Sequence, residues 1–332
     1  MGGKQPVNFP GGSGVGDARW LGDRIVTGET NALRRSETTG LLFALAGFAT
    51  LSCGDVVIKT MAGQWAPTAI AATRYVLGAL GLGALLLHSE GRKSLVQVPA
   101  LGVQLLRGGA VGMATVGFFS AIFVLPLATA TAITFTSPML TALLAALLLG
   151  EPLRRETLLA SLCAFAGVIV VLRPNFVAAG WAALLPLLSA LGMSLLMIGN
   201  RFVAGKGSAL AMQFYIAAMA SPLLLVAATG LHFSGITRFG VGMPDWSVIA
   251  RCALVACSAS VAHWLIYLGT TRAGAATIAP MTYVQMLVAT LAGWLVFGNQ
   301  PDAMTLLGAA MIIGAGLYLW RAGRVREMAG TE

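Results

Sequence analysis

Two charged side chains, Asp55 and Arg74, stand within long apolar stretches of this sequence. A charge near the middle of a membrane helix costs about 2.5–3.5 kcal/mol on insertion scales, so such a residue usually faces a cavity or a partner. If both stretches are helices, the two residues lie at similar depths, roughly 7–8 Å below one membrane boundary at a rise of ~1.5 Å per residue. They predict either a substrate or proton site or a buried structural ion pair.

Polar side chains near the centres of three further apolar stretches are also candidates for lining a cavity. Tyr283 and Gln285 follow a proline that bends a helix, and Thr134 precedes another proline, which frees a backbone carbonyl for other partners. His263 lies in the inner half of its stretch. Each of these residues fits either a cavity wall or a hydrogen bond between helices, and the sequence leaves both interpretations open.

Ten separable apolar segments account for nearly all of the sequence after residue 37. Apolar residues make up 57% of the chain and charged residues only 10%, whereas a soluble domain carries about 25% charged residues. A bilayer core of about 30 Å takes roughly 20 residues of helix to cross, and most segments reach that length. The sequence therefore predicts an all-α polytopic membrane protein with ten transmembrane helices. The segments are Leu41–Thr60, Ala69–Leu87, Gly109–Val124, Ala128–Leu149, Leu158–Leu172, Trp181–Gly199, Ala209–Thr229, Cys252–Leu268, Ala275–Phe297 and Leu306–Trp320.

The Lys and Arg residues lie between the apolar segments and predict the orientation. With the N-terminus in the cytoplasm, sixteen of them fall on the cytoplasmic side and four outside, as the positive-inside rule requires. Both termini then face the cytoplasm of a cell whose inner membrane holds the chain. Because these residues form no basic face with interleaved aromatics, the net charge of +9 does not indicate nucleic-acid binding. The sixteen include Arg107, which we place in an inner loop, and the outer four are Lys59, Arg173, Arg238 and Arg251.

The cysteines and histidines predict no metal site and no disulfide framework. The four cysteines lie within apolar segments without a CxxC pair, and the chain has only three histidines, so we expect buried thiols. Residues 1–37 are polar and Gly-rich and predict a disordered cytoplasmic tail, while 321–332 form a second, shorter tail. We expect no cofactor.

The second half of the sequence repeats the first. Residues 128–171 align with residues 277–320 at an offset of 149, and Lys59–Gly63 aligns with Arg201–Gly205 at an offset of 142. The predicted repeats are residues 38–173 and 178–320. Since each holds five helices, the second repeat enters the membrane in the opposite orientation. Inverted repeats enclose a cavity that opens alternately to the two sides of the membrane, which predicts transport.

The stretch Thr129–Pro174 resembles the fourth and fifth helices of EamA-type transporters of the drug/metabolite transporter superfamily. The resemblance covers about 40–320 and implies a ten-helix, non-enzymatic carrier of small metabolites. Arg74 and Tyr75 match an Arg-aromatic pair common in the second helix of that family, which adds Tyr75 to the candidate site. The matching features are the Ser137-Pro138 step, the Leu149-Gly150-Glu151 helix end and Gly167 in the fifth helix. The candidate substrate-binding residues are Asp55, Arg74, Tyr75, Thr134, Tyr283, Gln285 and His263.

We therefore expect a secondary carrier, monomeric or homodimeric, that moves an amino acid, a drug-like compound or a nucleoside-derived compound, with protons as a candidate coupling ion. Within the superfamily, Asp55, Lys59, Arg74 and Arg107 resemble features of S-adenosylmethionine uptake carriers, which is the alternative. An intramembrane hydrolase is the alternative from another class. Its candidates are Ser258, Ser260 and His263, and no oxyanion-hole signature accompanies them.

Overall fold

The computed structural model describes residues 38–150, 155–203, 205–273 and 278–329. The predicted tail 1–37 and Glu151 lie outside these ranges. Within them, all regular structure is helical, and eight helical segments are long and apolar enough to cross a membrane. Two further apolar helices, Leu158–Val171 and Met281–Phe297, are shorter. The all-α polytopic fold is confirmed, whereas the count of ten spans stays a prediction.

The helices follow one another with short connections. Helix α12 continues to Ala329, so most of the predicted tail 321–332 is helical. The α-helices are α1 (Thr38–Lys59), α2 (Pro67–Glu90), α3 (Arg92–Val96), α4 (Leu101–Ile122), α5 (Leu127–Thr134), α6 (Ser137–Leu149), α7 (Arg155–Ala179), α8 (Leu185–Val203), α9 (Ala209–His232), α10 (Trp246–Ala273), α11 (Val284–Phe297) and α12 (Ala303–Ala329). Short 3-10 helices span Gly180–Leu184, Thr237–Phe239 and Ala279–Tyr283.

The fourth apolar segment is broken in its middle, between α5 and α6. Pro138 has no backbone N–H, so the carbonyl of Thr134 loses its usual helical partner. The amides of Phe135 and Thr136 bond to carbonyls three residues earlier, which tightens the turn. A 3-10 helix likewise precedes α11 in the ninth segment. Both breaks expose backbone groups within the bundle.

Two pairs of helices, α1 with α10 and α4 with α8, approach each other very closely. A Cβ atom added to Gly47 would lie 2.7 Å from the carbonyl oxygen of Ala262 on α10. A Cβ atom added to Gly192 would lie 2.6 Å from the carbonyl oxygen of Ala110 on α4. Small residues permit this backbone approach in membrane helices. Each pair therefore packs as a closely joined unit.

We call the end of the bundle at which α1 begins and α2 ends the inner end, and the opposite end the outer end. Large apolar side chains are fully buried where helices meet at the outer end, including Ile58, Ile70, Ile122 and Leu127 at 0% exposure. The ends of α1 and α4 and the starts of α2 and α5 therefore close the bundle at its outer end.

The cysteines differ in part from the sequence-based expectation. All four are free, and Cys252 is buried as expected, but Cys53, Cys163 and Cys257 are exposed. The outside of a membrane helix is as apolar as its packed face, so an apolar segment does not show which face a thiol occupies.

Candidate functional site

Asp55 on α1 and Arg74 on α2 form the first part of the site. Both side chains are half-buried, and the positive charge of Arg74 acts electrostatically on Asp55. The two residues do not form the direct ion pair that their equal depth allowed: among the described residues, the Asp55 carboxylate makes no hydrogen bond or ion pair. The two charges therefore interact at a distance rather than through a direct contact.

Aromatic rings hold the guanidinium of Arg74. Its Cζ atom lies 4.6 Å from the ring centroid of Tyr75 and 5.4 Å from that of Phe119. The Tyr75 hydroxyl is 3.1 Å from Thr115 Oγ1, which fixes the orientation of the tyrosine. A guanidinium stacked on rings keeps its N–H donors in its own plane. In the part of the chain that the structure describes, no acceptor uses those donors.

His263 on α10 belongs to the same group. Its side chain is exposed, and the charge of Arg74 acts on it as well as on Cys252, which lies on the same helix. We call Asp55, Arg74, Tyr75 and His263 the central polar cluster. It draws on α1, α2 and α10, which are far apart in the sequence.

The hydroxyl groups of the serines near His263 donate hydrogen bonds to the backbone of their own helix. The hydroxyl of Ser258 donates to the carbonyl of Val255 at 3.1 Å, and that of Ser260 donates to the carbonyl of Ala256 at 3.0 Å. A hydrolase needs a hydrogen bond between its nucleophile and its base. Neither serine makes that bond to His263 here.

Gln285 is connected to the central polar cluster through α1. Its backbone carbonyl accepts a hydrogen bond from the Ser52 hydroxyl at 3.1 Å, and its side chain donates to Thr282 Oγ1 at 3.0 Å. Ser52 lies one helical turn before Asp55. The start of α11 therefore lies beside the part of α1 that carries the acidic residue.

Tyr283 and Thr134 lie at the two helix breaks. The Tyr283 ring packs edge-to-face on Phe135, with ring centroids 5.4 Å apart. Gly316 leaves room for this tyrosine, because a Cβ atom there would lie 1.7 Å from its hydroxyl oxygen. Thr134 Oγ1 donates to the Ala130 carbonyl of its own helix at 2.9 Å. The breaks thus meet through their aromatic side chains rather than through the Thr134 hydroxyl.

Arg107 does not lie in an inner loop, so that prediction is wrong. It lies on α4, about 9 Å along the helix from Leu101, and it is 3% exposed. Its Nε donates to Asn200 Oδ1 at 2.8 Å, and its Nη1 donates to Gln104 Oε1 and to Met212 Sδ. Gln104 and Arg107 are three residues apart and share a helix face. That spacing fits a shared helix face, but by itself it does not distinguish a buried helical turn from a cytoplasmic loop.

Lys59 closes the outer side of the central polar cluster. Its Nζ donates to the carbonyl of Leu125 at 2.7 Å and lies 5.2 Å from the ring centroid of Phe297. The lysine therefore ties the end of α1 to the turn between α4 and α5 and to the end of α11. It does so one helical turn beyond Asp55.

The described residues form eight helices that are long and apolar enough to cross a membrane, with charged side chains within them. This is typical of a polytopic membrane protein with a functional site inside its helical bundle. The profile of the EamA-like transporter family matches residues 38–173. A riboflavin transporter from Rhizobium johnstonii is 30% identical over 249 residues, which cover 75% of this chain and 76% of the relative. The chain therefore belongs to the EamA-like transporter family, within the drug/metabolite transporter superfamily.

Other similarities extend further along the chain. An S-adenosylmethionine uptake transporter from Rickettsia bellii is 23% identical over 289 residues, covering 87% of this chain and 96% of the relative. A solved crystal structure matches 89% of this chain and 99% of its own, with a TM-score of 0.56 and 20% identity. At this level of identity, the solved structure supports the fold alone. As a member of this family, the protein is a multi-pass membrane transporter of small metabolites.

Proposed function

We propose that this protein is a secondary carrier whose two inverted five-helix repeats open the central polar cluster alternately to the two sides of the membrane. In the conformation described above, the outer end is packed shut. Transport then requires the contacts of Lys59 and the buried side chains around it to separate in the outward-open state.

The pattern of helix packing supports this proposal. If each helix is replaced by its counterpart in the other predicted repeat, the list of packed pairs stays the same. Helix α4 packs on α8, and its counterpart α10 packs on α1. Helix α4 also packs on α9, and α10 packs on α2. Finally, α2 packs on α9, α5 on α11 and α7 on α12, each pairing a helix with its own counterpart. A pseudo-twofold axis in the membrane plane produces this pattern.

The register of the first helix in each repeat supports the same axis. Gly47 and Gly54 on α1 correspond to Gly192 and Gly199 on α8, each 145 positions further along the chain. Gly47 and Gly192 both meet the carbonyl oxygen of an alanine on the third helix of the other repeat. The glycine contacts give an offset of 145, whereas Ser52 and Ser194, which each bond to the fourth helix of the other repeat, keep the 142 of the sequence alignment. In the glycine register, Asp55 corresponds to Asn200.

For the substrate, we infer an organic metabolite built on a heteroaromatic ring system with a hydroxylated, sugar-derived group. Riboflavin and S-adenosylmethionine, which the relatives' names give, share this chemistry. The flat guanidinium of Arg74 suits such a ring, since it stacks on aromatic faces and donates to ring oxygens and nitrogens. The Asp55 carboxylate suits a cationic or N–H-bearing group of the same molecule.

The orientation follows from the basic residues. With Arg107 counted inside a helix, fifteen Lys and Arg residues on one side against four on the other favour cytoplasmic termini in an inner membrane. The inner end is then the cytoplasmic end. Protons are the coupling ion we propose, with Asp55 as the group that binds them.

Uptake into liposomes tests the proposed function. Purified protein reconstituted into sealed vesicles is expected to take up labelled riboflavin or S-adenosylmethionine with saturation, faster than protein-free vesicles do. Asp245→Asn, a change at an exposed residue before α10, serves as the control for surface charge. Uptake of both compounds at the protein-free rate would contradict the proposed substrate class.

A further inference from the structure

Arg107 is a buried charge without a charged partner. It is 3% exposed, its neighbour Gln104 is 0% exposed, and the three acceptors of its hydrogen bonds are Asn200, Gln104 and Met212, all of them neutral. An uncompensated charge within a membrane helix is expensive. Arg107 therefore provides a fixed positive charge, and no acidic side chain in the described part of the chain contacts it.

One nitrogen of this guanidinium has no hydrogen-bond acceptor. Nε and Nη1 donate as described above, whereas Nη2 has no partner among the described residues. Among the described residues, the fully buried side-chain polar atoms without a hydrogen-bond partner belong to Thr68, Ser120 and Ser161. Because Nη2 of Arg107 also has no partner but is not one of these atoms, it is not fully buried. The atom therefore keeps some accessible surface although the residue as a whole is 3% exposed. Gln104 and Asn200 hold the plane of the guanidinium while Nη2 stays free.

The repeat symmetry relates Arg107 and its partners Gln104 and Asn200 to the central polar cluster. Asn200 corresponds to Asp55, each directly following a glycine on the first helix of its repeat. Asp55 lies near the outer end of α1, and Asn200 lies near the inner end of α8. Each interacts with an arginine, but the two arginines are not counterparts: Arg74 lies on α2 of the same repeat as Asp55, and Arg107 lies on α4 of the repeat opposite to Asn200.

We propose that Arg107, held by Gln104 and Asn200, is the cationic centre of a second binding site, at the inner end of the bundle, for an anionic oxygen group such as a carboxylate or a phosphate. If the proposed function is right, this group belongs to a transported metabolite that carries one, such as the carboxylate of S-adenosylmethionine, as it enters or leaves at the cytoplasmic end; riboflavin carries no such group. The headgroup phosphate of a lipid is the other source of the same chemistry.

Thermal unfolding with inorganic phosphate and acetate as probes tests this site. The full chain, purified in uncharged detergent, is titrated with each anion against chloride at equal pH and ionic strength. Because Arg74 also has free donors, the titration uses an Arg74→Gln background. We expect a saturable rise in the unfolding midpoint. Adding Arg107→Gln should weaken the apparent affinity about tenfold or more, since a hydrogen bond to a charged group contributes about 1.5–3 kcal/mol.

Two further variants control for folding and for general charge. Arg251 on α10 donates from Nε, Nη1 and Nη2 alike, so Arg251→Gln should leave the anion affinity unchanged. Asn200→Asp supplies a carboxylate to Arg107 within the protein, so it should fold well yet also bind the anions about tenfold more weakly. No midpoint rise in the background protein, or an equal rise in the Arg107→Gln and Asn200→Asp variants, would overturn the proposal.

Nanodiscs separate the two sources of the anion. A midpoint that rises in phosphatidylglycerol over phosphatidylcholine discs, without free phosphate and only when Arg107 is present, identifies a lipid headgroup. A rise that needs free phosphate or acetate identifies a soluble anion. Neither assay depends on transport. If the liposomes take up substrate but the anions do not raise the unfolding midpoint, this inference alone is overturned. If the anions raise the midpoint but there is no uptake, the proposed function alone is overturned.

Discussion

The Ser52 hydroxyl on α1 donates a hydrogen bond of 3.1 Å to the backbone carbonyl of Gln285 at the start of α11. Ser194 on α8 makes the corresponding bond, of 2.9 Å, to the carbonyl of Ser137 at the start of α6. In each case the first helix of one predicted repeat contacts the broken fourth helix of the other. These bonds join the repeats beside the central polar cluster.

Removing the Ser52 hydroxyl is expected to destabilise the protein slightly. A hydrogen bond between membrane helices contributes about 0.6 kcal/mol on average, so Ser52→Ala should lower the unfolding midpoint in detergent by a small, reproducible amount. Thr50→Ala is the control, because its hydroxyl donates to the Ala46 carbonyl of its own helix. An equal effect of both changes would contradict a role of Ser52 in joining the repeats.

Single changes at Asp55 and Arg74 should impair transport without unfolding the protein. The two side chains make no ion pair with each other, so neither Asp55→Asn nor Arg74→Gln leaves behind a formerly paired charge. Each should reduce uptake about tenfold or more if a charged hydrogen bond to substrate of 1.5–3 kcal/mol is lost. The double variant should stay folded and inactive.

Recovery of transport in the double variant would instead identify a structural pair, as would a large loss of folded protein in each single variant. Asp55→Asn also distinguishes the substrates. S-adenosylmethionine carries a sulfonium cation, so its uptake should depend more strongly on the carboxylate than riboflavin uptake does. Glu90→Gln, at the inner end of α2 where Ser208 donates to the carboxylate, is the matched acidic control.

Adding a methyl group where the helix pairs approach most closely should destabilise the fold. Gly192→Ala and Gly47→Ala place a Cβ atom within 2.7 Å of a backbone oxygen, and overpacking costs about 1–3 kcal/mol. Gly78→Ala in α2 is the control, since nothing lies within 4 Å of its added Cβ. Thermal unfolding in detergent should therefore give lower midpoints for the first two variants and an unchanged or higher one for the third.

Reporter fusions test the predicted orientation. A reporter that is active only in the cytoplasm should give a signal both at Arg24 and after Arg326, because the basic residues favour an even number of crossings with both ends inside. A reporter fused after Lys59, at the end of α1, should give none. A cytoplasmic signal at Lys59 or an external signal at the C-terminus would contradict the orientation.

The sequence predicted the helices far better than the contacts between them. Apolar length identifies a membrane segment, and the rise per residue places Asp55 and Arg74 at similar depths. The rotation of each helix about its own axis could not be predicted, because a helix that is apolar on all sides has no polar face to orient it. For that reason the sequence suggested a direct ion pair, whereas the structure stacks Arg74 on Tyr75 and Phe119.

The position of Arg107 could not be predicted for a related reason. A basic residue near the start of an apolar segment fits a cytoplasmic loop as well as a buried helical turn. Only the side chains of Gln104 and Asn200, the latter from a helix distant in the sequence, make the buried position acceptable. The glycine register between α1 and α8 also required coordinates, because only the contacts of Gly47 and Gly192 with the opposite repeat show it.

Counterflow in liposomes is the most direct test of alternating access. Vesicles loaded with unlabelled riboflavin or S-adenosylmethionine and diluted into a trace of the labelled compound should accumulate label transiently above equilibrium, because the unlabelled compound inside competes with the label for exit through the carrier. Asp55→Asn with Arg74→Gln should abolish this overshoot. Label that enters only to its equilibrium level, at a rate that the internal compound does not change, would show a pore and contradict the proposed carrier.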